Sequence, residues 1–145
     1  MNSTIEKFGY PATLIAEYEH WLVLLRPQAP TLGALVLAAK GAATRYGDIP
    51  AGAFAEQATV TGDIEHALTR AVAFDRINYL MLMMVDPHVH FHVIPRYDGV
   101  RSRDGMSIAD AGWPKLPDLG TAITLSASEI AGQVAWLKSL WRRGE

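Results

Sequence analysis

The chain has 145 residues, of which 50% are hydrophobic and 19% are charged, and its net charge at pH 7 is near −2. This length suffices for one domain with its own core, so we expect residues 1–145 to form a single domain. The slight acidity gives no electrostatic footprint for nucleic acid, and the absence of cysteine excludes disulfides and thiolate chemistry. No signal-peptide pattern and no apolar run of ~20 residues is present, so we expect a cytoplasmic protein without a membrane partner.

The N-terminal part of the core, which we expect to span residues 10–97, is predicted to form a meander of three strands. Residues 12–19 alternate in polarity, and Trp21–Leu25 is an apolar run of strand length. A turn at residues 28–31 precedes the third strand, which begins at Gly33.

Residues 50–74 have the period of an amphipathic helix, because apolar side chains recur at intervals of three and four. The recurring positions are Val60, Ile64, Ala67, Leu68 and Ala71. Pro50 suits the first turn of this helix, whereas Gly62 inside it costs ~1 kcal/mol relative to alanine.

The segment 79–85 is a continuous apolar run, which predicts a central strand covered on both faces. Its three methionines are predicted to fill a gap in the core. Asp86 and Pro87 would then form a tight antiparallel hairpin into the next strand.

Three of the five histidines of the chain stand at alternate positions, with apolar residues between them. The imidazoles are His88, His90 and His92, and the intervening residues are Val89, Phe91 and Val93. A period of two predicts a strand that presents the imidazoles on one face and the apolar side chains to a core. Three imidazoles in a row have little packing rationale, so they indicate a functional site.

The remainder of the chain is predicted to be a loop-rich tail over residues 98–125 and a helix over about 127–142. Ser126 and Glu129 form a capping box at the start of this helix. Arg142 and Arg143 suit its negative dipole end. Together these elements predict an α+β domain with an antiparallel sheet.

Two chemistries suit the three imidazoles. Histidine is a common metal ligand, but the outer Cα atoms of such a strand lie roughly 13 Å apart, so three rings reach one ion only if the strand bends. Alternatively, one imidazole is a nucleophile, because an imidazole with a pKa of ~6.5 is largely neutral at pH 7 and can attack phosphorus.

The run from His88 to Ile94, followed by Pro95 and Arg96, resembles the signature of the histidine triad (HIT) superfamily of nucleotide hydrolases and transferases. The resemblance implies a HIT-like α+β fold, with a five-stranded antiparallel sheet, one long helix and a C-terminal helix. It also implies a homodimer.

The resemblance further implies a role for each histidine. His90 would attack the α-phosphorus of a nucleotide, and His88 and His92 would donate hydrogen bonds to phosphate oxygens. No metal or other cofactor would be required, although Mg²⁺ could arrive with the substrate. The candidate nucleotide and phosphate contacts are Arg26, Gln28, Thr31 and Arg96.

One departure from the family pattern is expected just before the triad. Many HIT hydrolases carry a longer glycine-rich loop there with a Gln, Asn or Ser, whereas here Val85 stands five residues before His90 and residues 84–87 leave no room for that loop.

The leading interpretation is a hydrolase or nucleotidyl transferase similar to small bacterial diadenosine tetraphosphate hydrolase-like HIT proteins. Its substrate would be a dinucleoside polyphosphate or a nucleoside phosphoramidate. The alternatives are a nucleotide-binding module with little or no turnover and a protein that binds a metal through its histidines.

Overall fold

A computed structural model describes residues 1–142, and its centre is a five-stranded antiparallel sheet. The strands are β1 Leu14–Glu17, β2 Trp21–Leu25, β3 Gln28–Ala29, β4 Leu35–Ala39, β5 Arg76–Leu80, β6 His90–Arg96, β7 Val100–Arg103, β8 Met106–Ala109 and β9 Ile123–Thr124. The helices are α1 Ser3–Lys7, α2 Ala51–Val72 and α3 Ala127–Leu140. The main sheet has the order β1-β2-β4-β6-β5, while β3 pairs with β9 and β7 with β8. This confirms the predicted α+β fold, including the meander β1-β2-β4.

The main sheet is covered differently on its two faces, because alternate side chains of each strand point to opposite sides. One face, which includes Trp21, Val23 and Leu37, packs against α2 and α3 in the larger core. The other face packs against α1 in a smaller cluster. That cluster contains Ile5, Phe8, Leu22, Leu24, Val36 and Ala38. The short N-terminal helix therefore covers part of the sheet face opposite the long helix.

Helix α2 fits its predicted period, and its apolar positions are buried. Val60, Ile64, Ala67 and Leu68 are all solvent-inaccessible. The helix follows Pro50 and ends at Val72, and the capping residue Ala73 has a left-handed backbone with φ 46°. The apolar stripe of α2 thus closes the larger core over β2 and β4.

Helix α3 begins with the predicted capping box of Ser126 and Glu129 and ends at Leu140. A polar cluster fastens its end to α2: Trp141 Nε1 donates to Tyr18 Oη at 2.7 Å, and Tyr18 donates to Asp63 at 2.7 Å. Arg142 Nε donates to the same carboxylate at 3.2 Å, whereas Arg143 lies outside the described residues. Asp63 is buried within α2, and these two donors compensate its charge.

The segment 79–85 is the main error of the sequence prediction. Strand β5 ends at Leu80 and lies at the edge of the sheet, and residues 81–89 form a loop rather than a tight hairpin. Met84 and Val85 are 88% and 82% exposed, whereas Met81 and Met83 are partly buried and pack against the larger core. The predicted core role therefore holds for two of the three methionines. An apolar run predicts burial, and it cannot distinguish a central strand from an apolar loop beside a cavity. The tight hairpin expected at Asp86 and Pro87 is therefore wrong, whereas residues 81–89 do lack the glycine and the Gln, Asn or Ser of the family loop.

Replacement of Leu37 by alanine tests the larger core. Leu37 is fully buried on β4, so we expect Leu37→Ala to lower the free energy of unfolding by about 2–5 kcal/mol. Leu116→Ala is the matched control because Leu116 is 83% exposed, and we expect a change within about 0.5 kcal/mol. Urea denaturation measures both, and equal losses would contradict the assignment of the core.

Candidate active site

The candidate site lies on the sheet face that α1 covers, at the start of β6. His90 pairs with Ala38 of β4, and His92 lies between Val36 of β4 and Leu80 of β5. The two imidazole rings are 5.1 Å apart in an edge-to-face arrangement. The ring of Phe8 lies 5.5 Å from His90 and 5.7 Å from His92, so both histidines are packed against an apolar wall.

The protonation of His90 is fixed by a backbone carbonyl. His90 Nδ1 lies 2.7 Å from the carbonyl oxygen of His88. Since a carbonyl oxygen can only accept a hydrogen bond, Nδ1 must carry the proton in the neutral ring, and Nε2 keeps its lone pair. This is the arrangement that an attacking imidazole needs.

His92 is held in the opposite tautomer. Arg26 Nε donates to His92 Nδ1 at 3.2 Å, so the proton of the neutral ring must lie on Nε2. Burial, the charge of Arg26 and the proximity of His90 lower the pKa of His92 to about 4. His92 is therefore a neutral hydrogen-bond donor at pH 7, beside the ring of His90.

His88 does not belong to the strand. Strand β6 begins at His90, and the ring of His88 turns towards α1, where its Nδ1 lies 2.9 Å from Thr4 Oγ1. The predicted row of three imidazoles on one strand face therefore holds for His90 and His92 only. On the opposite face Val89 and Val93 are buried as predicted, but Phe91 is half-buried against Trp21 and Tyr46.

A cavity of about 370 Å³ opens in front of His90 and His92, which is enough for a small ligand or part of a nucleotide. Its polar side is formed by Arg26 and Gln28 together with Lys7 of the N-terminal segment. Residues 82–86 form the other side, and Lys7 Nζ contacts Asp86 at 2.8 Å. The cavity thus combines two cations with an apolar loop.

Two of the four candidate phosphate contacts reach this cavity. Arg26 and Gln28 line it, and Arg26 Nη1 also donates to the Gln28 carbonyl. Thr31 is buried away from it, and its hydroxyl has no hydrogen-bond partner within residues 1–142.

Arg96 is a correction to the sequence prediction. Its guanidinium is buried and donates to Asp110 at 2.7 and 3.1 Å and to Asn78 at 2.9 Å. Arg96 does share a strand face with His92, but four residues separate them, which is ~13 Å along a strand. It therefore holds the tail to the sheet and does not line the cavity.

The N-terminal contributors to the site escaped sequence analysis. Helix α1 has five residues, too few for a hydrophobic period, and the signal that could have indicated it is Asn2, whose side chain caps Ile5 N–H. Thr4, Lys7 and Phe8 reach the site only through this helix.

A second, larger cavity of about 630 Å³ lies at the far edge of the sheet, beside β5. Arg76, Asn78, Arg96 and the segment 113–117 line it, and it contains no histidine. We therefore place the candidate site at the smaller cavity, which has the polarised imidazoles.

Neither a metal centre nor a membrane span is found in the part of the chain that the structure describes. Among residues 1–142, no three His, Asp or Glu side chains are grouped so that they could hold a metal ion. None of the helices within that range combines the length and the hydropathy that crossing a bilayer requires.

Several solved structures with the same fold are described as histidine triad proteins. A HIT protein from Sinorhizobium meliloti shares 20% identity at a TM-score of 0.74 and covers 97% of this chain and 95% of its own. A hypothetical histidine triad nucleotide-binding protein from Sulfolobus tokodaii shares 18% at 0.66, over 94% and 87%. A Zn-bound histidine triad family protein from Mycobacterium smegmatis shares 25% at 0.54, over 93% and 92%. No protein-family model and no curated protein sequence matches the chain.

The depressed pKa of His92 predicts how stability depends on pH. The ordinary histidine pKa is about 6.5, so between pH 6.5 and about 4 the unfolded chain binds more protons at this position than the folded protein. We expect His92 to leave stability intact above pH 6.5 and to lower it progressively as the pH falls towards 4.

Urea denaturation of the wild type and of His92→Gln across this range isolates the effect. The variant removes the histidine titration while the carboxylates of the chain, including nearby Asp86, titrate in both proteins. The unfolding free energy of the wild type minus that of His92→Gln should decrease as the pH falls from 6.5 towards 4. A difference that stays constant over this range would contradict the neutral state of His92.

Proposed function

We propose that this chain, which has the histidine triad fold and carries the motif of that superfamily at His88, His90 and His92, is a nucleotide hydrolase or nucleotidyl transferase. The observation that carries the proposal is the hydrogen bond from His90 Nδ1 to the His88 carbonyl. It leaves His90 Nε2 as an unprotonated nucleophile at the wall of a cavity that also contains cations.

The proposed reaction has two displacements at the α-phosphorus. In the first, the lone pair of His90 Nε2 forms a P–N bond, the bond to the leaving group breaks, and the leaving group takes the electron pair. In the second, a water oxygen or another acceptor forms a new bond to phosphorus, the P–N bond breaks, and its electron pair returns to Nε2. The attacking water loses its proton to solvent, so the enzyme ends as it began.

The surrounding groups suit the charge that develops during these steps. The nucleotidyl-imidazole is a cation, and its Nδ1–H stays bonded to the His88 carbonyl. His92 Nε2–H and the Arg26 guanidinium supply donors for phosphate oxygens. Burial lowers the pKa of Arg26, but an arginine guanidinium still remains a cation at neutral pH.

The composition of the cavity favours a dinucleoside polyphosphate over a phosphoramidate. A polyphosphate departs as an anion and needs no proton, whereas an amine leaving group must receive one. Lys7 and Arg26 stabilise an anion, and the exposed apolar side chains of Leu82, Met84 and Val85 offer a surface to a second nucleobase. The Met83 and Met84 side chains are flexible enough to adapt to a planar ring.

Two alternatives remain from the sequence. The protein from Sulfolobus tokodaii is described as nucleotide-binding, and a module of that kind would bind without turnover. The protein from Mycobacterium smegmatis is described as Zn-bound, so the hypothesis that this chain binds a metal through its histidines needs a separate test. Here Arg26 occupies Nδ1 of His92 and a carbonyl occupies Nδ1 of His90, which leaves each ring one nitrogen for a metal.

Within residues 1–142, β5 is an edge strand of the main sheet, and Tyr79 of this strand donates to Glu65 of the long helix at 2.7 Å. We propose that the protein is a homodimer that buries this edge, as the family resemblance implies. Sedimentation at tens of micromolar protein measures the assembly, and a monomer alone would overturn this part of the proposal.

The test of the mechanism is a trapped adduct on His90. The wild type is incubated with diadenosine tetraphosphate, diguanosine tetraphosphate or adenosine phosphoramidate, and a rapid quench without acid is followed by peptide mass spectrometry. We expect a nucleotidyl group on His90. His90→Ala should abolish turnover and leave nucleotide binding largely intact, because the attack occurs only in the transition state.

His66→Ala is the matched control, since His66 lies on α2, far from the cavity lining, and its loss should leave turnover unchanged. Near-normal turnover by His90→Ala would overturn the covalent mechanism. Binding without any product would favour the module, and loss of activity with a chelator, restored by zinc but not by magnesium, would favour the metal protein.

A further inference from the structure

The N-terminal helix α1 meets the triad through one buried hydroxyl group. Thr4 is 2% exposed, and its Oγ1 lies 2.9 Å from His88 Nδ1 and 3.3 Å from the backbone nitrogen of His88. The helix itself is fixed to the sheet, because the Asn2 amide donates to the carbonyls of Ala39 and Gly41 at 3.2 and 2.8 Å. Thr4 therefore holds the ring and the backbone of one residue at the same time.

The directions of these two hydrogen bonds follow from the donors available. The backbone N–H of His88 can only donate, so Thr4 Oγ1 accepts it. The hydroxyl then has its own hydrogen to place. A threonine inside a helix usually donates to the carbonyl four residues earlier, but α1 begins at Ser3 and offers none. The acceptor at hand is His88 Nδ1, so the neutral ring of His88 carries its proton on Nε2.

The same residue supplies the carbonyl that orients His90. His90 Nδ1 donates to the His88 oxygen at 2.7 Å, and the direction of that carbonyl depends on how the loop backbone at His88 is held. Residue 88 lies outside the ladder of β6, and its backbone is held on both sides. The peptide that contains the His88 carbonyl is held by Val89 N–H, which donates to the Ala43 carbonyl at 3.1 Å. The preceding peptide is held by Thr4, which accepts from the His88 N–H.

We propose that Thr4 is a positioning residue of the site, acting through His88 on His90. It holds the His88 carbonyl where it keeps the proton on His90 Nδ1, and it holds the His88 ring in the tautomer with Nε2–H. Its catalytic consequence rests on the proposed function, whereas its effect on the two tautomers rests on the geometry alone.

The tautomers are measured directly by imidazole ¹⁵N NMR of the wild-type protein at pH 8. We expect His90 to be protonated on Nδ1 and His88 on Nε2. A wild type in which His88 carries its proton on Nδ1 would overturn the proposal without any variant.

Three variants then separate positioning from stability. Thr4→Val removes the hydroxyl, Thr4→Ser keeps it, and Thr13→Val removes another buried hydroxyl, which donates to the Phe8 carbonyl and does not touch His88. We expect Thr4→Val to shift His90 towards a mixture of tautomers and to lower kcat by about 10–100-fold, by analogy with the loss of groups that orient metal-binding imidazoles. KM should change little, because Thr4 does not line the cavity.

Thr4→Ser should restore the wild-type spectrum and kcat, and Thr13→Val should lose stability without changing either. A Thr4→Val protein with wild-type tautomers, or a Thr13→Val protein with the same kcat loss, would overturn the proposal. If the NMR result is as expected but no nucleotide is turned over by the wild type, the proposed function fails and the positioning role stands.

Discussion

The site depends on one short hydrogen bond, from His90 Nδ1 to the carbonyl oxygen of His88. This bond decides which nitrogen of His90 is free to react, because the other tautomer would present an N–H to the cavity. The carbonyl belongs to the last loop residues before β6, so the geometry of that loop controls the chemistry of the strand. In a neutral imidazole one ring nitrogen carries the proton and the other has a free lone pair. The hydrogen-bond partner of the first nitrogen therefore decides what the second can do.

Burial of two imidazoles beneath α1 has a physical consequence that the site exploits. Phe8 packs against the rings of His90 and His92 beside the apolar cluster around Leu22 and Val36, and burial disfavours the charged form of His92. The same desolvation lowers the pKa of His92 and keeps it a neutral donor. Arg26 reinforces this state, since its guanidinium donates to His92 Nδ1 and repels a proton on that ring. Apolar packing on this face therefore supports both the fold and the reactive state of the histidines.

The sequence contained enough information for the sheet, the long helix, the capping box and the histidine motif, because each of these has a local period or pattern. It could not locate the end of β5, since Tyr79 to Val85 is uniformly apolar and hydrophobicity does not tell an edge strand from a loop that borders a cavity. It could not place Arg96 either, because its partner Asp110 is 14 residues away and only the folded tail brings them together. Helix α1 was missed because five residues are too few to show a period.

Strand β6 presents the imidazoles at its start and makes a cluster of polar contacts at its end, and these contacts help to hold the imidazoles in place. At its far end Arg96 and the backbone N–H of Tyr97 both bind Asp110, while Tyr97 Oη accepts from Leu32 N–H and donates to the Ile108 carbonyl. These contacts hold the end of the strand to the segment before β4 and to the tail. A shift of one residue in register would turn His90 and His92 to the opposite face, into the core under α2. The buried pair of Arg96 and Asp110 thus fixes the register, and through it the side of the sheet on which the imidazoles meet their cavity.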